Sequence, residues 1–96
     1  MAEVIYSTRA LADLDRLEDF LIEVDESVAR KTIPLILSAI TALCLHPEIG
    51  RRRDGAVREL VISRGKTGYV ALYRYDEIRD VARVLAVRYQ RELGGI

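Results

Sequence analysis

The residues of this chain best suited to chemistry are the arginines and one tyrosine of its second half. "GRRRDG" (50–55) sets Arg51, Arg52 and Arg53 side by side, "RGKTG" (64–68) adds Arg64 and Lys66, and "VLAVRYQRE" (84–92) ends in Arg88, Tyr89 and Arg91. Guanidinium groups hold phosphate or carboxylate in bidentate geometry, so a cluster of them suits an anionic partner. Gly-Lys-Thr within "RGKTG" also matches the tail of a nucleotide-binding P-loop. That loop needs a glycine five positions before Gly65, where Leu60 stands, and a helix after it, where "GYVALYRY" reads as a strand. We read the stretch as a hairpin with a basic tip, and "GRRRDG" as a basic loop.

Other chemistries find little support. The only histidine, His46, precedes Pro47 at an expected helix end, where imidazole suits the free carbonyls of a C-terminal turn. No Ser/His/Asp arrangement supports triad hydrolysis. With Cys44 as the single cysteine, neither an intramolecular disulfide nor a Cys/His zinc cluster can form, and no metal or small-molecule cofactor is expected. No uninterrupted apolar run approaches the roughly 18 residues of a membrane span, and "MAEVIYST" lacks the basic start and apolar stretch of a signal peptide. A cytoplasmic protein without a membrane partner is expected.

The formal net charge of zero conceals a separation. Residues 1–48 carry four basic and nine acidic side chains, residues 49–96 eleven and six, so the halves stand at −5 and +5. A basic surface on the second half, fitted to an acidic partner or to phosphate, is the implication.

Ninety-six residues, half of them apolar, can close one core, so residues 1–96 are expected to form one domain. "EVIYS" (3–7) is too short for a helix and rich in strand formers. Ser7 or Thr8 can then cap a helix in which Leu14, Leu17, Leu21 and Val24 form one apolar stripe among carboxylates and Arg16. Asp25 or Ser27 can cap a second, with Ile33, Ile36, Leu37, Ile40 and Cys44 on its apolar face. Pro34 costs about 3 kcal/mol inside a helix, which predicts a kink or a late start. "LHPEIG" ends it. Residues 57–63, 68–75 and 81–88 then read as three strands of a meander. In the middle one Val70 and Leu72 alternate with Tyr69, Ala71 and Tyr73, so one face can pack on the helices while the other presents tyrosines. The order β-α-α-β-β-β predicts an α+β domain, a helical hairpin on one face of a small, mainly antiparallel four-stranded sheet.

That order, with "HPEIGR" (46–51), "RELVI" (58–62), "GYVALYRYD" (68–76) and "VLAVRYQRE" (84–92), resembles the RelE/ParE toxin superfamily, the toxin partners of type II toxin–antitoxin modules, also described as plasmid stabilisation proteins. The resemblance covers nearly the whole chain. It implies a functional surface on the exposed face of the sheet and a cognate antitoxin whose disordered acidic segment folds upon it. It also implies one of two targets. ParE-like members inhibit DNA gyrase by protein contact; RelE-like members resemble ribosome-dependent endoribonucleases that cut messenger RNA, a 2′-hydroxyl attacking its neighbouring phosphate while arginines stabilise the added charge.

Carried over to this sequence, Arg64, Arg88, Tyr89 and Arg91 would be the catalytic set of a nuclease. Arg51, Arg52, Arg53, Lys66, Arg88 and Arg91 would bind target or phosphate in either case, with Arg88 and Arg91 at an exposed strand end. The tail "LGGI" carries no final aromatic or histidine, and phenols, which in general ionise near pH 10, are poor bases at neutral pH. Gyrase inhibition is therefore the favoured expectation, nuclease action the alternative, and a non-toxic antitoxin-binding module the third.

Overall fold

The computed structural model describes residues 1–63 and 68–89. Strand β1 (Glu3–Tyr6) passes directly into helix α1 (Thr8–Val24), because Ser7 is extended and its Oγ accepts from the Ala10 N–H at 3.0 Å. The buried stripe of α1 is Ala10, Leu14, Leu17 and Leu21, the expected spacing, with Asp13 buried beside it. One residue separates this helix from α2 (Glu26–Thr41). Asp25 closes the first with its N–H on the Leu21 carbonyl (2.8 Å) and opens the second with Oδ1 accepting from the Ser27 N–H (2.9 Å). The Ser27 hydroxyl, donating to the same oxygen at 2.7 Å, helps hold the Asp25 carboxyl below its ordinary range.

Helix α2 runs through Pro34, so the late start does not occur; the proline is exposed, as is Arg30, whose carbonyl lost its donor. A 3-10 turn, Ala42–Cys44, continues it, and Ala29, Ile36, Ile40 and Leu43 face the core. By length and composition the 19 residues Glu26–Cys44, mean hydropathy 1.3, are long and apolar enough to cross a membrane. The segment is not an uninterrupted apolar run, since it carries Glu26, Arg30 and Lys31, and Ala29, Ile36 and Ile40 on one side of it pack in the core. At its end His46 is exposed, and its backbone N–H, rather than its imidazole, bonds the Ala42 carbonyl at 3.0 Å.

Among the described residues the sheet has five strands, in the order β1-β5-β4-β3-β2, with β2 (Arg51–Asp54), β3 (Val57–Val61), β4 (Tyr69–Asp76) and β5 (Val81–Tyr89). β1 lies parallel to β5, and every other neighbouring pair is antiparallel. The meander is as expected. The additional strand is the arginine run itself, which pairs with β3 (Arg51 with Glu59, Arg52 with Arg58) through a turn at Gly55, φ +58°. A charged strand is well suited to a sheet edge, where it discourages pairing with other chains.

A second correction concerns the faces. Tyr69, Ala71 and Tyr73 point toward the helices, and all five tyrosines lie in or against the core on that side. Among the described residues the helix pair is the only large apolar cover available, so the largest rings go there. Their hydroxyls find partners at the margins: that of Tyr73 accepts from the Gly50 N–H at 2.8 Å, and that of Tyr75 donates to Asp80 at 2.6 Å. Arg58 straps the same corner, its Nη1 donating to the carbonyls of Glu48 (3.1 Å) and Gly50 (2.9 Å).

Gly50 is required here for space. A Cβ on it would stand 2.5 Å from the ring of Tyr73, which is fully buried. We predict that G50A destabilises the fold by about 1–3 kcal/mol through this overlap, and Y73F by about 1 kcal/mol through the lost hydrogen bond. Urea unfolding midpoints of the two variants measure both effects.

Candidate functional site

The last strand decides where the candidate groups point. In the pairing of β4 with β5, Tyr73 opposes Val84 and Leu72 opposes Ala86, which leaves Leu85 as an extra residue in a bulge. Strict alternation from Ala82 and Val84 would have turned Arg88 toward the helices and Tyr89 away. With Leu85 inserted, Val87 and Tyr89 face the helices instead. Tyr89 packs edge-on against Tyr69 (5.4 Å between centroids, 77°) and Phe20 (6.5 Å, 72°).

Arg88, opposite Val70, starts on the other face but is not free. Its Nη1 donates to Asp13 Oδ2 at 3.0 Å, and its side chain is only 17% exposed. The same oxygen accepts the Val87 N–H at 3.0 Å, while Oδ1 accepts from Arg16 at 3.1 Å. Asp13, 3% exposed, thus ties α1 to the end of β5. The expectation of an exposed Arg88 is therefore corrected: it is half-buried because a buried carboxylate needs a cation. Asp13, Arg16, Leu17, Phe20, Val87 and Tyr89 line a cavity of about 210 Å³ at this seam.

The three adjacent arginines divide between the faces of the sheet. Arg51 and Arg53 point away from the helices and share Glu59, Arg53 at 3.6 Å. Arg52, aligned with Arg58, lies on the helix side near Glu48, Tyr75 and Glu77. Arg64, Lys66 and Arg91 lie outside the described residues. Two arginines that sequence reasoning did not single out stand together on the uncovered face: Arg74 of β4 and Arg83 of β5 are directly opposite one another, and both are exposed. The alternation of "VARV" and "LYRY" carried that signal, but it becomes legible only once the register is known.

The family comparisons agree with this architecture. Residues 4–94 match the family model described as the ParE toxin of the type II toxin–antitoxin system, parDE. Toxin RelE3 of Caulobacter vibrioides is 39% identical over 85 residues, 88% of this chain and 92% of its own length. Toxin RelE1 of the same organism is 37% identical over 71 residues, covering 74% of this chain and 76% of that one. This chain belongs to the ParE/RelE toxin superfamily. Among solved structures, the toxin–antitoxin complex RelBE2 from Mycobacterium tuberculosis superimposes with a TM-score of 0.57 at 23% identity, covering 92% of this chain and 96% of that one. The chromosomal ParDE system from P. aeruginosa does so with a TM-score of 0.74 at 22% identity, covering 93% and 96%. At those identities the likeness speaks for the fold.

In this type II toxin the phenols of Tyr69, Tyr73 and Tyr75 are tuned away from proton transfer at neutral pH. Burial pushes Tyr69 and Tyr73 up, the first aided by neighbouring Tyr89, and the hydrogen bond to Asp80 takes Tyr75 to about 12. Among the described residues, no group of three His, Cys, Asp or Glu side chains is placed to hold a metal ion.

Two predictions follow from these contacts. Removing the Asp13 carboxylate leaves the Val87 N–H and the Arg88 guanidinium without a partner, so D13A should destabilise by about 3–4 kcal/mol, and R88A by about 1–2 kcal/mol, in urea unfolding. Because the fold holds the Tyr75 phenol protonated, its stabilising effect is whole below pH 10 and is lost as pH rises through about 12. Absorbance titration of phenolate should show the latest-ionising tyrosine disappear in Y75F.

Proposed function

We propose that this toxin arrests growth by docking on DNA gyrase in the ParE manner, acting in the cytoplasm as a protein ligand rather than an enzyme, and that a cognate antitoxin neutralises it. The observation that carries this reading is the separation of Tyr89 from the arginine face. Its ring is wedged between Phe20 and Tyr69 on the helix side, and Arg88 is committed to Asp13. Arg51, Arg53, Arg74 and Arg83 look the other way. Cleavage of RNA by its own 2′-hydroxyl needs a proton acceptor and charge stabilisers around one phosphate. Among the described residues, the arginine face carries neither phenol nor imidazole, since the tyrosines pack on the helix side and His46 lies in the loop after the 3-10 turn. A docking surface requires no such convergence. The match to the ParE family model supports the role of toxin, and the two similar solved systems, both of toxins with antitoxins, support the partner.

Ribosome-dependent cleavage of messenger RNA in the RelE manner is the second reading. It draws on the exposed arginines of the uncovered face, which have the charge to hold phosphate.

Induction of the chain in a bacterial host, followed by parallel assays of gyrase supercoiling and transcript integrity, separates the two. Loss of supercoiling with intact transcripts is expected, and Y89F should inhibit growth as wild type does. Codon-phased transcript cleavage abolished by Y89F would establish the nuclease instead. Continued growth with both processes intact would make the chain an antitoxin-binding module.

A further inference from the structure

We propose that Arg74 and Arg83 form a two-pronged clamp for a carboxylate on an extended acidic segment of the antitoxin, docked on the sheet face that the helices leave uncovered. The inference rests on membership of the toxin family and not on the choice of gyrase as target.

The two arginines sit side by side in a row that crosses five strands: Asp54, Val57, Arg74, Arg83 and Ile5. Like charges directly opposite in an antiparallel pair repel one another, so the sheet carries them at a cost unless an anion is supplied. The chain does not supply one among the described residues. Neither guanidinium makes an ion pair or hydrogen bond there. The nearest carboxylates on this face are Asp54, in the same row but two strands from Arg74, and, one row away, Glu59, Asp76 and Glu3. Asp76 already accepts the Ile78 and Arg79 N–H groups at 3.1 Å each and faces the Arg79 guanidinium at 4.0 Å, and Glu3 is exposed on the edge strand. Arg51 and Arg53, on the same face, are already committed to Glu59.

The pair borders a cavity of about 300 Å³, lined also by Ala56, Tyr75, Asp76 and Leu85. With half-buried Ile5, Val57 and Leu72 around it, the surface offers paired cations within an apolar frame. That fits a peptide with one carboxylate between apolar side chains. It does not fit single-stranded RNA, which calls for aromatic platforms: the only ring at this cavity is Tyr75, at its margin, with its hydroxyl held by Asp80. Charge directs the same partner here, since residues 8–41, which form the helices, carry four basic and seven acidic side chains, a net −3, and would repel an acidic segment.

The test pairs affinity with stability. R83E replaces the repulsion by an opposite-charge cross-strand pair, so its melting temperature should rise by about 2–5 °C. Its affinity for the antitoxin, the protein encoded beside this chain, should fall about tenfold or more in a titration of the two purified proteins. K31E, an equal charge change on exposed α2, should bind within about twofold of wild type, and R83Q, which only removes charge, should bind with an intermediate loss. Four results would overturn the proposal: R83E binding like wild type, K31E losing as much affinity as R83E, a melting temperature that falls together with affinity, or a wild-type chain that does not bind this protein. Retained antitoxin affinity with lost growth inhibition would instead assign the pair to the target. Supercoiling in the same strains reports separately on the gyrase reading.

Discussion

A single buried carboxylate holds the two halves of this toxin together. β5 is flanked by β1 only from Val81 to Val84, and beyond that point its edge would expose unpaired peptide groups. Helix α1 takes the place of the missing strand: the Ser7 hydroxyl donates to the Leu85 carbonyl at 3.1 Å, and Asp13 accepts the Val87 N–H. A carboxylate in that position loses most of its water, and the loss is offset by one backbone donor and two guanidinium groups. The helix, the bulged strand and Arg88 are therefore held by one ionised group.

The bulge at Leu85 and the Asp13 seam act as a pair. The extra residue shifts the inward set of side chains by one position, and the seam fixes the strand in that shifted state. Together they deliver Tyr89 to the aromatic cluster with Tyr69 and Phe20 and deny it to the outer face. The sheet is thereby divided. Its helix side gathers every tyrosine and most of the core, and its open side gathers Arg51, Arg53, Arg74 and Arg83.

That division sets stability against recognition. On the helix side Arg58, although opposite Arg52, reaches Glu48 and two carbonyls, and Asp80 holds both Tyr75 and the terminal amine, the latter at 3.8 Å. On the open side two arginines are set in register across the sheet. Isolated, such a pair weakens the strand pairing; with an anion between its members, it strengthens binding to whatever carries that anion. Proteins tolerate local losses of this kind at places where they meet partners.

The sequence alone determined both helices, four of the five described strands and the fold class. Ser7 and Asp25 cap helices because short oxygen-bearing side chains reach free N–H groups in any such context, and the three- and four-residue spacing of Leu14, Leu17 and Leu21 names the buried stripe without knowledge of what covers it. The motifs of the second half likewise placed the chain in its family. What only the tertiary structure decided is which way the strands face and which charges meet. One inserted residue reverses a strand's inward set, so Tyr89 and Arg88 could not be assigned to faces from their order in the chain. Asp13 reads as one carboxylate among many on an acidic helix until β5, some seventy-five positions away, is laid against it. The arginine run likewise became an edge strand only because β3 offered it Glu59 and a ladder to join. Short-range propensity acts over a few residues, whereas register and pairing are settled by contacts between distant segments.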